Sequence, residues 1–462
     1  MNKKRLAAAL VLVLLAAGIL LRGYGDGSTH GVVHQHKLRD SEPEGTGLDL
    51  YGNLTTHLPL IILKTNGAVI PGAEERTDED LYCEYVIIDN PGGVNRSGDT
   101  PSQTGRAAVS IRGNSSRDYR KKQYAFKLVD SSGLPVKESL LGMPAESTWV
   151  LNGSVIDHAQ IRNYMMYNLA GEIMAYAPRC RLAELMLTDS ERNVTYQGLY
   201  TVIEKPKVSE SRLDLTPYDP RYAETSFLLQ MNNYHDGATI PILKPDDIIA
   251  VCETGLVYPA TEEITVESLA YVQQEMMIFE KALYDAYYTK DWTRLEPLID
   301  LDSFVDYYIL NEFFQNYDAG RRSTYLYKDL GGRLSIGPVW DWDSAFNNFG
   351  FAQMELSQLE MKRTYFYYYL SQYPDFCEKT AQRYTYLRQN LLSDDYLTDY
   401  IDSCAEYLGS ALSRDCGKWN PDNPGVFLSD IEAMKTFVTQ RGAWMDEHFV
   451  DYITVIGERQ DR

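Results

Sequence analysis

The chain has 462 residues, with 44 Lys plus Arg against 65 Asp plus Glu and a formal charge of −21. A surface of that sign repels nucleic-acid backbones and anionic membranes at long range, which argues against a nucleic-acid binder unless a local basic patch intervenes. Hydrophobic residues at 44% and charged residues at 24% lie near globular averages and argue against a largely disordered or fibrous chain.

Lys3, Lys4 and Arg5 precede an uncharged apolar run from Leu6 to Leu21. Residues 1–22 therefore read as a signal peptide or N-terminal membrane anchor, with everything after Arg22 on the outer side. The run is slightly shorter than a usual span and no clean small-residue cleavage site follows, so cleavage and anchoring both stay open. Residues 23–48, rich in Gly, His, Asp, Glu and Ser, read as a flexible linker. The protein is thus expected to be exported, either extracellular or held to the cell membrane through the N-terminal segment alone. Six cysteines (Cys83, Cys180, Cys252, Cys377, Cys404, Cys416) are scattered without metal-ligand spacing. An exported chain permits disulfides between them, but they define no framework.

From about residue 49 to 231 short β-favouring runs alternate with turn residues, at 107–112, 123–129, 181–188, 197–204 and 226–231. One helix interrupts them, because Ile161, Met165, Leu169 and Ile173 keep helical spacing after Asp157. The second half is mostly helical. Leu269, Val272, Met276, Phe279 and Leu283 predict a helix over 266–288, and Val305, Ile309 and Phe313 predict another over 302–316 behind an acidic cap. Runs at 323–328 and 333–336 flank Gly331-Gly332 and read as a hairpin, and 355–462 continue the helical pattern. The expected fold class is α+β, with a β-rich first half and a helical second half. Residues 49–350 read as one catalytic-type domain and 351–462 as a helical elaboration of it. Tyrosine, at 35 against 14 Phe and 6 Trp, suits half-wet surfaces. The run Tyr365-Phe366-Tyr367-Tyr368-Tyr369 reads as a helix packed in the core, ahead of a partner surface.

The densest polar constellation is Asn316-Tyr317-Asp318, then the hairpin, then Gly337-Pro338-Val339-Trp340-Asp341-Trp342-Asp343. Asp318 falls where a helix gives way to a loop. Asp341 and Asp343, if extended, share one strand face, with Trp340 and Trp342 on the other. Like charges that close call for a divalent ion; the plainer alternative is an acidic strand end satisfied by Arg321, Arg322 or Lys328. A second cluster is Arg112-Gly113-Asn114-Ser115-Ser116, followed by Arg120-Lys121-Lys122. Small residues at a turn expose N–H groups, and cations beside them complement phosphate oxygens. On the next strand Lys127 projects opposite Tyr124, Phe126 and Leu128. A third set joins Asp157, Arg162 and Asn163 to the strand ending at Glu204, which either orients a lysine or closes an exposed strand.

Five ordered segments carry a resemblance: RGNSSRDYRKKQYAFKL at 112–128, IRN at 161–163, YQGLYTVIE at 196–204, NYDAGRRSTYLY at 316–327 and GPVWDWD at 337–343. Together they resemble the CotH family, the spore coat protein H type of atypical protein kinase, over roughly residues 50–350. The resemblance implies a kinase-like core fold, ATP with Mg2+ or Mn2+, and transfer of phosphate to Ser or Thr of a coat or cell-surface protein. It implies Asp318 as the catalytic acceptor of the substrate's proton, Asp341 as a metal ligand and Asp343 as its direct or water-bridged assistant. Lys127 is then the phosphate lysine, with Lys122 in reserve and Glu204 as a partner, and Arg112, Asn114, Ser115 and Arg162 are further nucleotide contacts. Two departures stand out. Ser323 occupies a position where members often carry Asn for a second ion, and the leader places the domain where ATP is scarce. A catalytically weak or inactive CotH-like binding protein at the surface or coat is therefore the rival reading. A nucleotide-sugar transferase reading of Asp341-Trp342-Asp343 lacks the strand–helix alternation it needs, and nothing in the spacing specifies a glycosidase pair.

Overall fold

The alternating runs of the first half close into a seven-stranded barrel. Its strands are β1 (Leu60–Lys64), β2 (Leu81–Ile88), β3 (Gln103–Ile111), β4 (Tyr124–Val129), β5 (Thr148–Asn152), β6 (Cys180–Thr188) and β7 (Val194–Glu204). The order around the barrel is β5-β7-β6-β1-β2-β3-β4, closed by β4 on β5, and only β6 with β1 is parallel. Alternation explains the closure, since Ile61, Tyr85, Val109, Phe126 and Trp149, one from each of β1 to β5, pack together in one core. Leu60 and Ile62, on the other face of β1, are buried too, beside Leu54 and Tyr196, so β1 is apolar on both sides.

The structure is a computed structural model that describes residues 34, 42–50, 52–74, 79–235, 237–242, 253–348 and 354–455. The N-terminal segment over 1–22 and most of the 23–48 linker lie outside the described residues. Residues 42–48, read as the end of that linker, are packed: Gly47–Leu48 pairs with Leu54–Thr56, and Glu42 accepts the Ser410 N–H at 2.7 Å. The physical reason is that a helix starts at Ser410, and a carboxylate there satisfies a donor that the helix itself leaves open.

A second, antiparallel sheet runs β9-β8-β10-β11, with β8 at Phe227–Asn232, β9 at Glu253–Tyr258, β10 at Thr324–Lys328 and β11 at Leu334–Ile336. The last two form the hairpin around Gly331-Gly332, with Leu326 opposite Ile336. Among the described residues there are eight α-helices: α1 (Arg162–Ile173), α2 (Val266–Thr289), α3 (Leu301–Phe313), α4 (Tyr365–Leu370), α5 (Pro374–Arg388), α6 (Asp394–Leu408), α7 (Ser410–Trp419) and α8 (Val426–Val455). The architecture is α+β. Helix α2 is capped by Thr265, whose side chain accepts the Ser268 N–H at 3.1 Å. Helix α1 is buried nearly all round. One continuous core joins Met165 of α1, Leu229 of β8, Phe304 of α3, Tyr367 of α4 and Phe449 of α8, so the helices beyond residue 354 share the apolar interior of what precedes them. In the tyrosine run Tyr365, Phe366, Tyr367 and Tyr369 are buried and Tyr368 is exposed. The five described cysteines are buried, unbridged thiols. Among the described residues no helix is long and apolar enough to cross a membrane.

Candidate active site

Strand β3 ends at Ile111 and the chain turns through Arg112 and Gly113. Gly113 has φ 110°, and a Cβ on it would sit 1.8 Å from Ser116 Oγ, so only glycine fits this turn. The turn is tied to itself by Arg117 Nε, which donates to the Gly113 carbonyl at 2.7 Å. Where the loop returns to β4, Arg112 N donates to the Gln123 carbonyl at 3.0 Å and Arg112 Nη1 to Gln123 Oε1 at 3.2 Å. The guanidinium is thereby held 5.8 Å over the Trp340 ring.

Asp318 lies in the turn between α3 and β10, where its carbonyl accepts the Arg322 N–H at 2.9 Å. Its carboxylate is 3.3 Å from Arg322 Nε, yet its buried Oδ1 has no hydrogen-bond partner among the described residues. Ser323, at φ 51°, donates from Oγ to Asp341 Oδ2 at 3.2 Å.

The 337–343 segment is irregular rather than a strand, which corrects the shared-face expectation for Asp341 and Asp343. Asp341 adopts φ 62°, a left-handed conformation incompatible with a pleated ladder. Its backbone is held by α1 instead. Asp341 N donates to Tyr167 Oη at 3.2 Å, and Trp342 N donates to Asn163 Oδ1 at 3.0 Å. Asn163 Nδ2 in turn donates to Asp343 Oδ1. Trp342, fully buried, anchors the turn.

These pieces meet on one cavity of about 670 Å3, lined by Arg112, Asp318, Asp341 and Asp343 together with Asn114, Ser115 and Ser323. Burial raises all three carboxyls. Asp318 is pushed up to about 6 by burial and by the charge of Asp341. Asp343 reaches about 7 for the same two reasons, opposed by hydrogen bonds from Ser154 and Asn163. Asp341 is raised by burial, against the pull of Arg112.

Four expected site residues do not line the cavity. Lys127 points away from the barrel core, where it pairs with Asp80 at 2.9 Å; in a closed barrel the face opposite Phe126 is the outside. Lys122 Nζ donates to the Arg117 carbonyl and braces the loop from behind. Arg162 is buried between Asp157 and Asp430, each at 2.6 Å, where desolvation demands such partners. Glu204 is fully buried and its partner is Arg179 at 2.9 Å, with Arg212 at 3.9 Å, rather than a lysine. No lysine stands among the described residues that line the cavity. Sequence reasoning missed Tyr167 and Asn232. Tyr167 follows Asn163 by one helical turn, a spacing that puts both on one face. Asn232 lines the cavity from the end of β8 and accepts from Asn114 Nδ2 at 3.1 Å, a contact across the two sheets with no local signal.

Among the described residues no group of three or more His, Cys, Asp or Glu side chains stands ready to hold a metal ion. Asp341 and Asp343 with Ser323 nevertheless fit a hard divalent cation, since they are buried oxygen donors whose carboxyls are raised by burial and, for Asp343, by Asp341. In comparisons with known proteins, the family model described as CotH kinase protein matches residues 109–445. No curated protein matches the chain.

Proposed function

The chain belongs to the CotH family, and we propose from that premise that it is an exported protein kinase transferring the ATP γ-phosphate to Ser or Thr of a coat or cell-surface protein. The observation that supports this best is the meeting of Asp318, Asp341 and Asp343 with Arg112 on one cavity, from three separate places in the sequence. On this reading the barrel and the helical part form a kinase-like pair around the nucleotide, and the N-terminal leader accounts for export.

Phosphoryl transfer asks mainly for positioning and charge neutralisation. Asp318 takes the proton of the acceptor hydroxyl, and a carboxyl near 6 suits that task at neutral pH. Arg112 faces the phosphates in the role expected of a lysine, fixed by Gln123 and Trp340. Asp341 and Asp343 hold Mg2+ or Mn2+, with Ser323 beside them. Neutralisation of phosphoryl charge is the chemistry such an ion supplies when bound. Two carboxylates are enough for Mg2+, which is commonly completed by substrate phosphates and water.

That no lysine stands among the described residues lining the cavity, and that Ser323 is present, favour a second reading, a catalytically weak or inactive CotH-like protein that binds partners at the surface or coat. Labelled ATP separates the two. With Mg2+ or Mn2+, the full chain should label itself or a generic acceptor protein, and Asp341→Ala should lower that label about 100-fold or more. No label on either protein, with both folded and no rise in Tm on adding ATP, overturns the kinase reading.

A further inference from the structure

Helix α7 meets the barrel where strand pairing is irregular. Between β6 and β7 the register slips, with Leu185 opposite Gly198 and Met186 opposite Tyr196, so Gln197 is an extra residue. Gly198 has φ 117°, and a Cβ there would lie 2.3 Å from Asp415 Oδ1 and 2.9 Å from Trp419 Nε1. The bulge is therefore a notch that admits two side chains of α7. Trp419 Nε1 donates to the Gln197 carbonyl at 2.8 Å, and Asp415 Oδ1 accepts the Leu199 N–H at 2.8 Å.

The same Asp415 oxygen accepts from Lys121 Nζ at 2.7 Å, with side-chain exposures of 4% and 0%. Lys121 runs 5.3 Å from the Tyr200 ring and past Gly153, where a Cβ would lie 3.1 Å from its Cε. Its Nζ also donates to Gln160 Oε1 at 3.3 Å. Next to it, Arg120 donates to the Trp419 carbonyl at 3.2 Å. Lys121 does not line the cavity, but it belongs to the loop that carries Arg112, Asn114 and Ser115 there. Desolvation largely offsets the attraction within a buried ion pair, so what the pair supplies here is a fixed geometry.

We propose that Lys121 is a positioning residue for the cavity: through the Lys121–Asp415 pair, α7 holds the 112–123 loop in the shape that presents Arg112, Asn114 and Ser115 to the phosphates of a nucleotide. The identity of the ligand rests on the kinase reading; the hold of α7 on the loop does not.

The test compares the full-length wild type with Lys121→Met, Lys121→Met/Asp415→Asn and Lys121→Arg. Amide exchange of residues 112–119 is followed without ligand, and MgATP binding is titrated by calorimetry. Lys121→Met strands a buried carboxylate and lowers Tm, whereas the double variant removes that charge and regains it. In both of these, exchange of 112–119 should accelerate about tenfold or more while β3 and β4 stay protected, and the Kd for MgATP should rise about tenfold. Lys121→Arg should restore both. Exchange and Kd that return to wild-type values with Tm in the double variant would mark a purely structural pair and overturn the proposal. Should the wild type take up no MgATP, the kinase reading falls, and loop exchange alone decides whether α7 holds the loop.

Discussion

Burial, helped by the charge of Asp341 and opposed by Arg322 and Arg321, pushes the Asp318 carboxyl up to about 6. A base acts only when deprotonated, so phosphate transfer should fall on the acid side as Asp318 takes up its proton and level off above that, which a pH–rate profile checks. Stability runs the opposite way. The unfolded carboxyl titrates near ~3.9, so the folded state binds this proton more tightly. Its contribution is fully present below about pH 4 and is lost as pH rises through about 6. Asp318→Asn cannot ionise. In chelator and without nucleotide it should melt above the wild type at pH 8 and not at pH 4, with a gain of at most about 3 kcal/mol. Its transfer activity should fall at least about 100-fold. Residue types in motifs such as NYD and GPVWDWD made these carboxylates legible before any fold was known. The destinations of Lys122 and Lys127 were not legible, because alternation says which face a side chain takes and not whether Asp80 or a cavity waits there.

Helix α1 is the element that shapes the carboxylate turn, through Asn163 and Tyr167 on one face. Asn163→Ala leaves the Trp342 N–H buried without its acceptor, at a cost of about 1–3 kcal/mol read by urea denaturation. It also frees Asp343, so the Mg2+ concentration for half-maximal transfer should rise about tenfold, as when a residue behind a metal ligand is removed. At this scale the runs read as β3, β4, β6, β7, β8, β10 and β11 and the helices α1 to α3 match to within a few residues, since their periods depend on neighbours in the chain, whereas β1, β2, β5 and β9 were not singled out. The 337–343 segment did not match, because its N–H groups go to side chains of a helix far back in the sequence rather than to a ladder.

Across the whole molecule, α8 is locked to α3, the helix that leads into Asp318. Arg441 Nη2 meets Glu312 Oε1 at 2.6 Å with both side chains fully buried, and Glu312 also accepts the Met361 N–H at 2.7 Å. Arg441→Met strands the Glu312 charge, and chemical denaturation should show a loss of about 3–5 kcal/mol. The sequence by itself determined the acidic charge, a β-rich first half ahead of a helical second half, the α+β class and the run of motifs that marks the CotH family. Only the tertiary structure decided that the barrel closes, that Asp318, Asp341 and Asp343 share a cavity with Arg112, and that α7 reaches the same loop. The reason is range: periodicity and turn chemistry are set by residues a few positions apart, whereas a pair such as Lys121 and Asp415 joins positions 294 residues apart, and burial and charge at the site arise only when such segments meet.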